Sequence, residues 1–102
     1  MLIIETAVFT KLIKELMTDD TYRDLQNYLN DNPSSGNIIK GSGGLRKIRW
    51  GTGKKGKRGG LRIIYYLVCD EKILMLFAYN KKSVGDLTTK QVDMLKMIIS
   101  EE

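Results

Sequence analysis

Leu61-Arg-Ile-Ile-Tyr-Tyr-Leu-Val68 decides the fold. The segment is rich in β-branched and aromatic side chains, which suit a pleated, half-buried surface, and it reads as a strand. Before it lies a ten-residue stretch, Gly51 to Gly60, with five glycines and four bases, which reads as a loop. Before that loop, Leu45 to Trp50 reads as another strand. After Val68, Asp70-Glu71 offers a tight turn into Ile73 to Tyr79, apolar at seven successive positions. A strand of that kind has both faces covered, or one covered and one lining a cleft. The short links between these three strands predict an antiparallel meander.

Outward from this meander the period changes. Leu2, Ile3 and Ile4 open a short strand. Phe9, Leu12, Ile13, Leu16 and Met17 then recur at helical spacing. Thr18-Asp19-Asp20 breaks that helix and caps a second one, with Tyr22, Leu25, Tyr28 and Leu29 on its buried side. It should end near Asn30-Asp31-Asn32, because Pro33 disfavours a helical conformation in the residue before it. Ser34 to Asn37 and Gly41 to Gly44 are turn material around Ile38-Ile39. At the other end, Thr88 and Gln91 form a capping box, and Leu87 with Val92 a hydrophobic staple. They open a last helix with Val92, Leu95 and Ile99 as its stripe. The predicted order is β-α-α-β-β-β-α. The fold class is α+β: an antiparallel sheet with helices packed on one face, in a single domain spanning residues 1–102.

Composition agrees with a globular chain. Of the 102 residues, 42% are hydrophobic and 28% charged, as in folded domains and unlike disordered ones. A lone cysteine, Cys69, excludes an internal disulfide framework, and with no histidine a zinc site is out of reach. No apolar run approaches the ~18 residues of a membrane span. Met1-Leu-Ile-Ile-Glu5 lacks the basic start of a signal peptide, so a cytoplasmic location without membrane contact is expected.

Charge is distributed unevenly. Between Asp31 and Asp70 no acid occurs in 38 positions, and that stretch holds nine bases: Lys40, Arg46, Lys47, Arg49, Lys54, Lys55, Lys57, Arg58 and Arg62. Eight bases and twelve acids fall outside it, so a +9 centre sits beside a −4 remainder. A one-signed block of this kind predicts a surface that meets a polyanion. The bases lie among glycines and short strands instead of on an amphipathic helix, which argues against a membrane surface.

Strand alternation gives this charge a direction. Lys47 and Arg49 share one face of their strand, and Ile48 and Trp50 the other. Arg62 shares a face with Ile64, Tyr66 and Val68. If Ile48, Trp50, Leu61, Ile63 and Tyr65 meet the helices, then Lys47, Arg49, Arg62 and Tyr66 line an open sheet surface, rimmed by Lys81 and Lys82. Of the two adjacent tyrosines one belongs in the core; the other either stacks on a base or packs against a helix.

Other motifs yield less. Gly51-Thr-Gly-Lys-Lys-Gly56-Lys57 matches most of a phosphate loop, but Arg58 stands where a magnesium-binding hydroxyl is needed and a strand follows instead of a helix. Cys69 and the serines have no histidine to activate them as nucleophiles. On RNA, attack by a 2′-hydroxyl builds negative charge on a phosphorane and on the departing 5′-oxygen, which fixed guanidinium and ammonium groups stabilise. Without histidine the general base is a lysine, a tyrosine or a group that the partner supplies.

The run Gly43-Gly-Leu-Arg-Lys-Ile-Arg49, followed by Gly53-Lys-Lys-Gly-Lys-Arg-Gly-Gly-Leu-Arg-Ile-Ile-Tyr-Tyr66, resembles the HigB branch of the RelE/ParE toxin superfamily. The resemblance covers nearly the whole chain. It implies a toxin of a type II toxin–antitoxin module, an endoribonuclease that cuts mRNA in the ribosomal A site and needs no metal or other cofactor. It also implies a helix-turn-helix, HigA-like antitoxin, with operator DNA reached only through the toxin–antitoxin complex. By this likeness Lys47, Arg49, Arg62 and Lys82 are the catalytic cations. Arg46, Lys54, Lys55, Lys57, Arg58, Tyr66 and Lys81 are then the RNA-binding residues. The tyrosine that RelE carries near its C-terminus is absent here; Thr88 stands near its place. The ParE branch, which inhibits DNA gyrase by binding without catalysis, is the alternative, and a simple RNA-binding module is a third reading.

Overall fold

The computed structural model describes residues 1–51 and 60–101. Nine elements follow in order. Strand β1 (Leu2–Glu5) leads into helices α1 (Ala7–Leu16) and α2 (Asp19–Asp31). Strands β2 (Asn37–Ile38), β3 (Leu45–Trp50), β4 (Leu61–Cys69) and β5 (Lys72–Asn80) follow, then α3 (Lys81–Val84) and α4 (Thr89–Ile99). The class is α+β, as expected, with β2 and α3 added. Two residues of strand and one turn of helix are too short to impose a period on the sequence.

Local chemistry starts each helix. The Thr6, Thr18 and Thr88 hydroxyls accept from the N–H groups of Phe9, Thr21 and Gln91, satisfying amides that have no partner within the helix. Asp19 and Asp20 place negative charge in the first turn of α2, where the helix dipole favours it. Both halves of the Thr88–Gln91 capping box are formed.

The sheet order is β1-β5-β4-β3-β2. β3, β4 and β5 make the expected antiparallel meander. β1, however, runs parallel to β5, with Leu2 opposite Lys72 and Glu5 opposite Met75, so the sheet is mixed and not purely antiparallel. The helical connection through α1 and α2 carries the chain over the sheet, and β1 takes the edge of β5 instead of joining the hairpins. In β5, Leu76 has no opposite number: Ile64 faces Phe77 and Tyr65 faces Met75. This bulge shifts the alternation, so both faces of the seven-residue apolar run are used.

Both faces of the sheet are covered. On one, Phe9, Ile13, Leu25 and Leu29 from α1 and α2 pack on Ile48, Trp50, Ile63, Tyr65, Met75 and Ala78. On the other, Leu95 of α4, flanked by Val92 and Ile99, packs on Leu45, Ile64, Leu74 and Leu76. The expectation of helices on a single face is therefore corrected. A stripe of three apolar residues shows that α4 must bury one side, but not against which face of the sheet.

The turn after α2 is fixed from below. The fully buried Tyr65 hydroxyl accepts from the Gly36 N–H at 2.9 Å and donates to the Pro33 carbonyl at 2.8 Å. A Cβ on Gly36 would lie 2.8 Å from the Tyr65 ring, so the absence of a side chain permits the approach. Among the described residues, no helix is long and apolar enough to cross a membrane.

Candidate nucleic-acid interface

Beyond the edge of α4 the second sheet face carries cations. Alternation along β3 sets Leu45 under the helix and presents Lys47 and Arg49 farther along the same face. Across the strands, Arg49 stands opposite Arg62, and Arg62 opposite Tyr79. Two guanidinium groups facing each other across a strand pair repel, and a sheet tolerates the arrangement at some cost in stability. An anion placed between them converts the repulsion into attraction. Arg49 is exposed, while Arg62 is half-buried and donates from Nη1 to the Leu61 carbonyl at 3.2 Å.

The far end of β5 brings in the rest. The Lys81 amide donates to the Gly60 carbonyl at 2.7 Å, joining α3 to the start of β4. Lys82 is exposed; its aliphatic stem runs beside Gly60, 3.2 Å from where a Cβ would lie. Asp86, in the link from α3 to α4, comes back over this end of the sheet. Its Oδ1 lies 3.8 Å from Lys47 Nζ, and its Oδ2 3.6 Å from Lys81 Nζ. The Tyr79 hydroxyl donates to Oδ1 at 3.4 Å. Burial, and then the negative charge of Asp86, raise the pKa of Tyr79, so the phenol holds its proton at neutral pH and serves as a donor, not a base. Beside Asp86 a cavity of about 500 Å³ opens, lined by Leu12, Leu16, Tyr79, Val84 and Leu87 among others.

Lys47, Arg49, Arg62, Lys81 and Lys82 thus gather at one end of one face. Two other candidates sit elsewhere. Arg46 shares the face of Ile48 and Trp50, and its Nη1 donates to the Ser34 and Gly36 carbonyls at 3.1 and 2.9 Å. It clasps the same turn that Tyr65 holds. Arg46→Ala is expected to cost about 1 kcal/mol of stability and to leave RNA affinity close to wild type; thermal melts beside filter binding check both. Tyr66 is half-buried and packs with the α4 cluster, where a Cβ on Gly44 would come within 3.1 Å of its ring. Its ring belongs to the cluster that Leu95 of α4 joins, and its half-burial leaves part of it open to a base. Lys54, Lys55, Lys57 and Arg58 lie outside the described residues.

Two members of the site escape a reading of the sequence. Tyr79 belongs to an apolar run, where a hydroxyl carries no periodic signal. Asp86 lies in a short link, and its one mark is that no other acid occurs between Glu71 and Asp93. No known family model matches the chain.

Proposed function

We propose that this protein is the toxin of a type II toxin–antitoxin module, a metal-independent endoribonuclease acting on ribosome-bound mRNA. The observation that carries the reading is the row Arg49–Arg62–Tyr79 across three strands, with Lys47 beside it and Lys82 at its rim. In the proposed reaction a ribose 2′-hydroxyl attacks the adjacent phosphorus and gives its proton to a group that the ribosome supplies. The bond from phosphorus to the 5′-oxygen breaks, that oxygen takes a proton, and a 2′,3′-cyclic phosphate remains. Arg49 and Arg62 hold the non-bridging oxygens as negative charge grows, from positions set by the strands before substrate arrives. Lys47 and Lys82 neutralise the flanking phosphates. A helix-turn-helix antitoxin opposes the activity by covering or distorting this cationic face, and operator DNA is bound through that complex.

Expression in cells tests the reading. Arrest of protein synthesis, with cleavage of mRNA on programmed ribosomes that persists in a chelator, is expected. DNA damage without translation arrest would assign the protein to gyrase inhibition, and RNA binding without growth arrest to a plain binding module. Affinity for RNA should fall steeply with salt. Neutralising about five phosphates gives a log–log slope near −3.5 for a single strand, and a slope of zero excludes a polyanion ligand.

A further inference from the structure

We infer that Lys47, Lys81 and the Tyr79 hydroxyl form one oxyanion seat, which the Asp86 carboxylate fills in the free protein and a phosphate group takes on binding. The inference rests on the proposed affinity of this face for RNA, and does not require cleavage. Among the described residues, Asp86 is the one carboxylate paired with the cations gathered here, and it meets two ammonium groups and a phenol at once. Those three donors surround an oxyanion as a phosphate site would. The occupant is held loosely. Both ion pairs are longer than a hydrogen-bonded contact, and the Asp86 side chain is 53% exposed, so solvent screens them. Lys47 and Lys81 are 37% and 45% exposed, which leaves an incoming anion a path to both. Tyr79 keeps its proton and can donate to either occupant.

The backbone allows the exchange. Asp86 follows Gly85, whose φ of 76° ends α3 in a conformation that side chains disfavour. Rotation of the Asp86 side chain alone takes its carboxylate into water. A phosphodiester offers two non-bridging oxygens to the same donors, and its neighbours along the strand reach Arg49 and Arg62. The single carboxylate has no such reach. RNA therefore displaces Asp86, and inorganic phosphate competes with it weakly.

Asp86→Asn keeps the shape and removes the charge. The variant should bind a 2′-O-methyl oligonucleotide, which cannot be cleaved, about three- to tenfold more tightly than wild type. Asp24→Asn, an exposed position on α2, makes the same change in net charge away from the seat and should alter affinity by less than about twofold. The gain should vanish when Lys81→Gln is added to Asp86→Asn, because the carboxylate and the phosphate compete for the same ammonium group. Equal effects of Asp86→Asn and Asp24→Asn would overturn the inference. So would a gain that persists unchanged in the double variant, since that is a field effect and not competition for a seat. Tripolyphosphate serves as the second probe. If it binds with the Asp86→Asn gain while the oligonucleotide binds to no variant, the seat stands and the RNA reading fails. If neither probe binds, both fail.

Discussion

Arg62→Ala is expected to lower cleavage of ribosome-bound mRNA by about 100- to 1,000-fold, the loss typical of removing one fixed donor to a developing oxyanion. Arg62 occupies the middle of the row, between Arg49 on β3 and Tyr79 on β5, so a phosphate lying across these strands passes beside it. The change in stability should be far smaller. The Arg62 side chain donates to the Leu61 carbonyl at 3.2 Å, and losing such a bond costs about 1 kcal/mol. That corresponds to a drop in melting temperature of about 4–8 °C for a domain of this size. Cells should survive expression of the variant, and the purified protein should remain folded. Cleavage assays beside thermal melts decide: a much lower melting point, with the folded fraction cleaving at the wild-type rate, makes Arg62 structural and shifts the transition-state role to Lys47 and Lys82.

Tyr65→Phe should produce the larger loss of stability. Removing one oxygen leaves two backbone groups, the Gly36 N–H and the Pro33 carbonyl, without the hydroxyl that joins them beneath the turn. A buried polar group left unpaired costs about 1–3 kcal/mol. At about 2–3 kcal/mol in all, the melting temperature should fall by roughly 10 °C or more. The ring itself still fills its place in the core, so the fold is kept. RNA affinity of the folded protein should match wild type, because Tyr65 faces the helices and not the cationic row. An unchanged melting point would mean that solvent satisfies both groups in the variant and that the hydroxyl is not what holds the turn.

What the sequence discloses follows from the range of each signal. The strand alternation of β3 and β4 and the capping box of α4 are local, and the alternation alone puts Lys47, Arg49 and Arg62 on one face. The partner of β1 is not local: four residues choose a strand some seventy positions away. The bulge at Leu76 is likewise hidden inside an unbroken apolar run. Arg46 shows two signals in conflict. The run of positive charge groups it with the binding residues, while alternation assigns it to the face of Ile48 and Trp50, and the period prevails. Asp86 belongs to no periodic element, so its place above Lys47 and Lys81 depends on where α3 ends and how the chain turns there.

The parallel pairing of β1 with β5 bears on how the chain is made. Leu2 to Glu5 are made some seventy residues ahead of their partners, Lys72 to Met75. Phe9 and Ile13 must likewise wait for Met75 and Ala78 before they are covered. Contacts this distant along the chain close late, and they slow folding relative to a helical bundle of the same size. Tyr79, Lys81 and Asp86 arrive later still. The cationic site is therefore assembled only after Asp86 has been made, and a nascent chain that stops short of it carries the bases of β3 without the architecture that aims them.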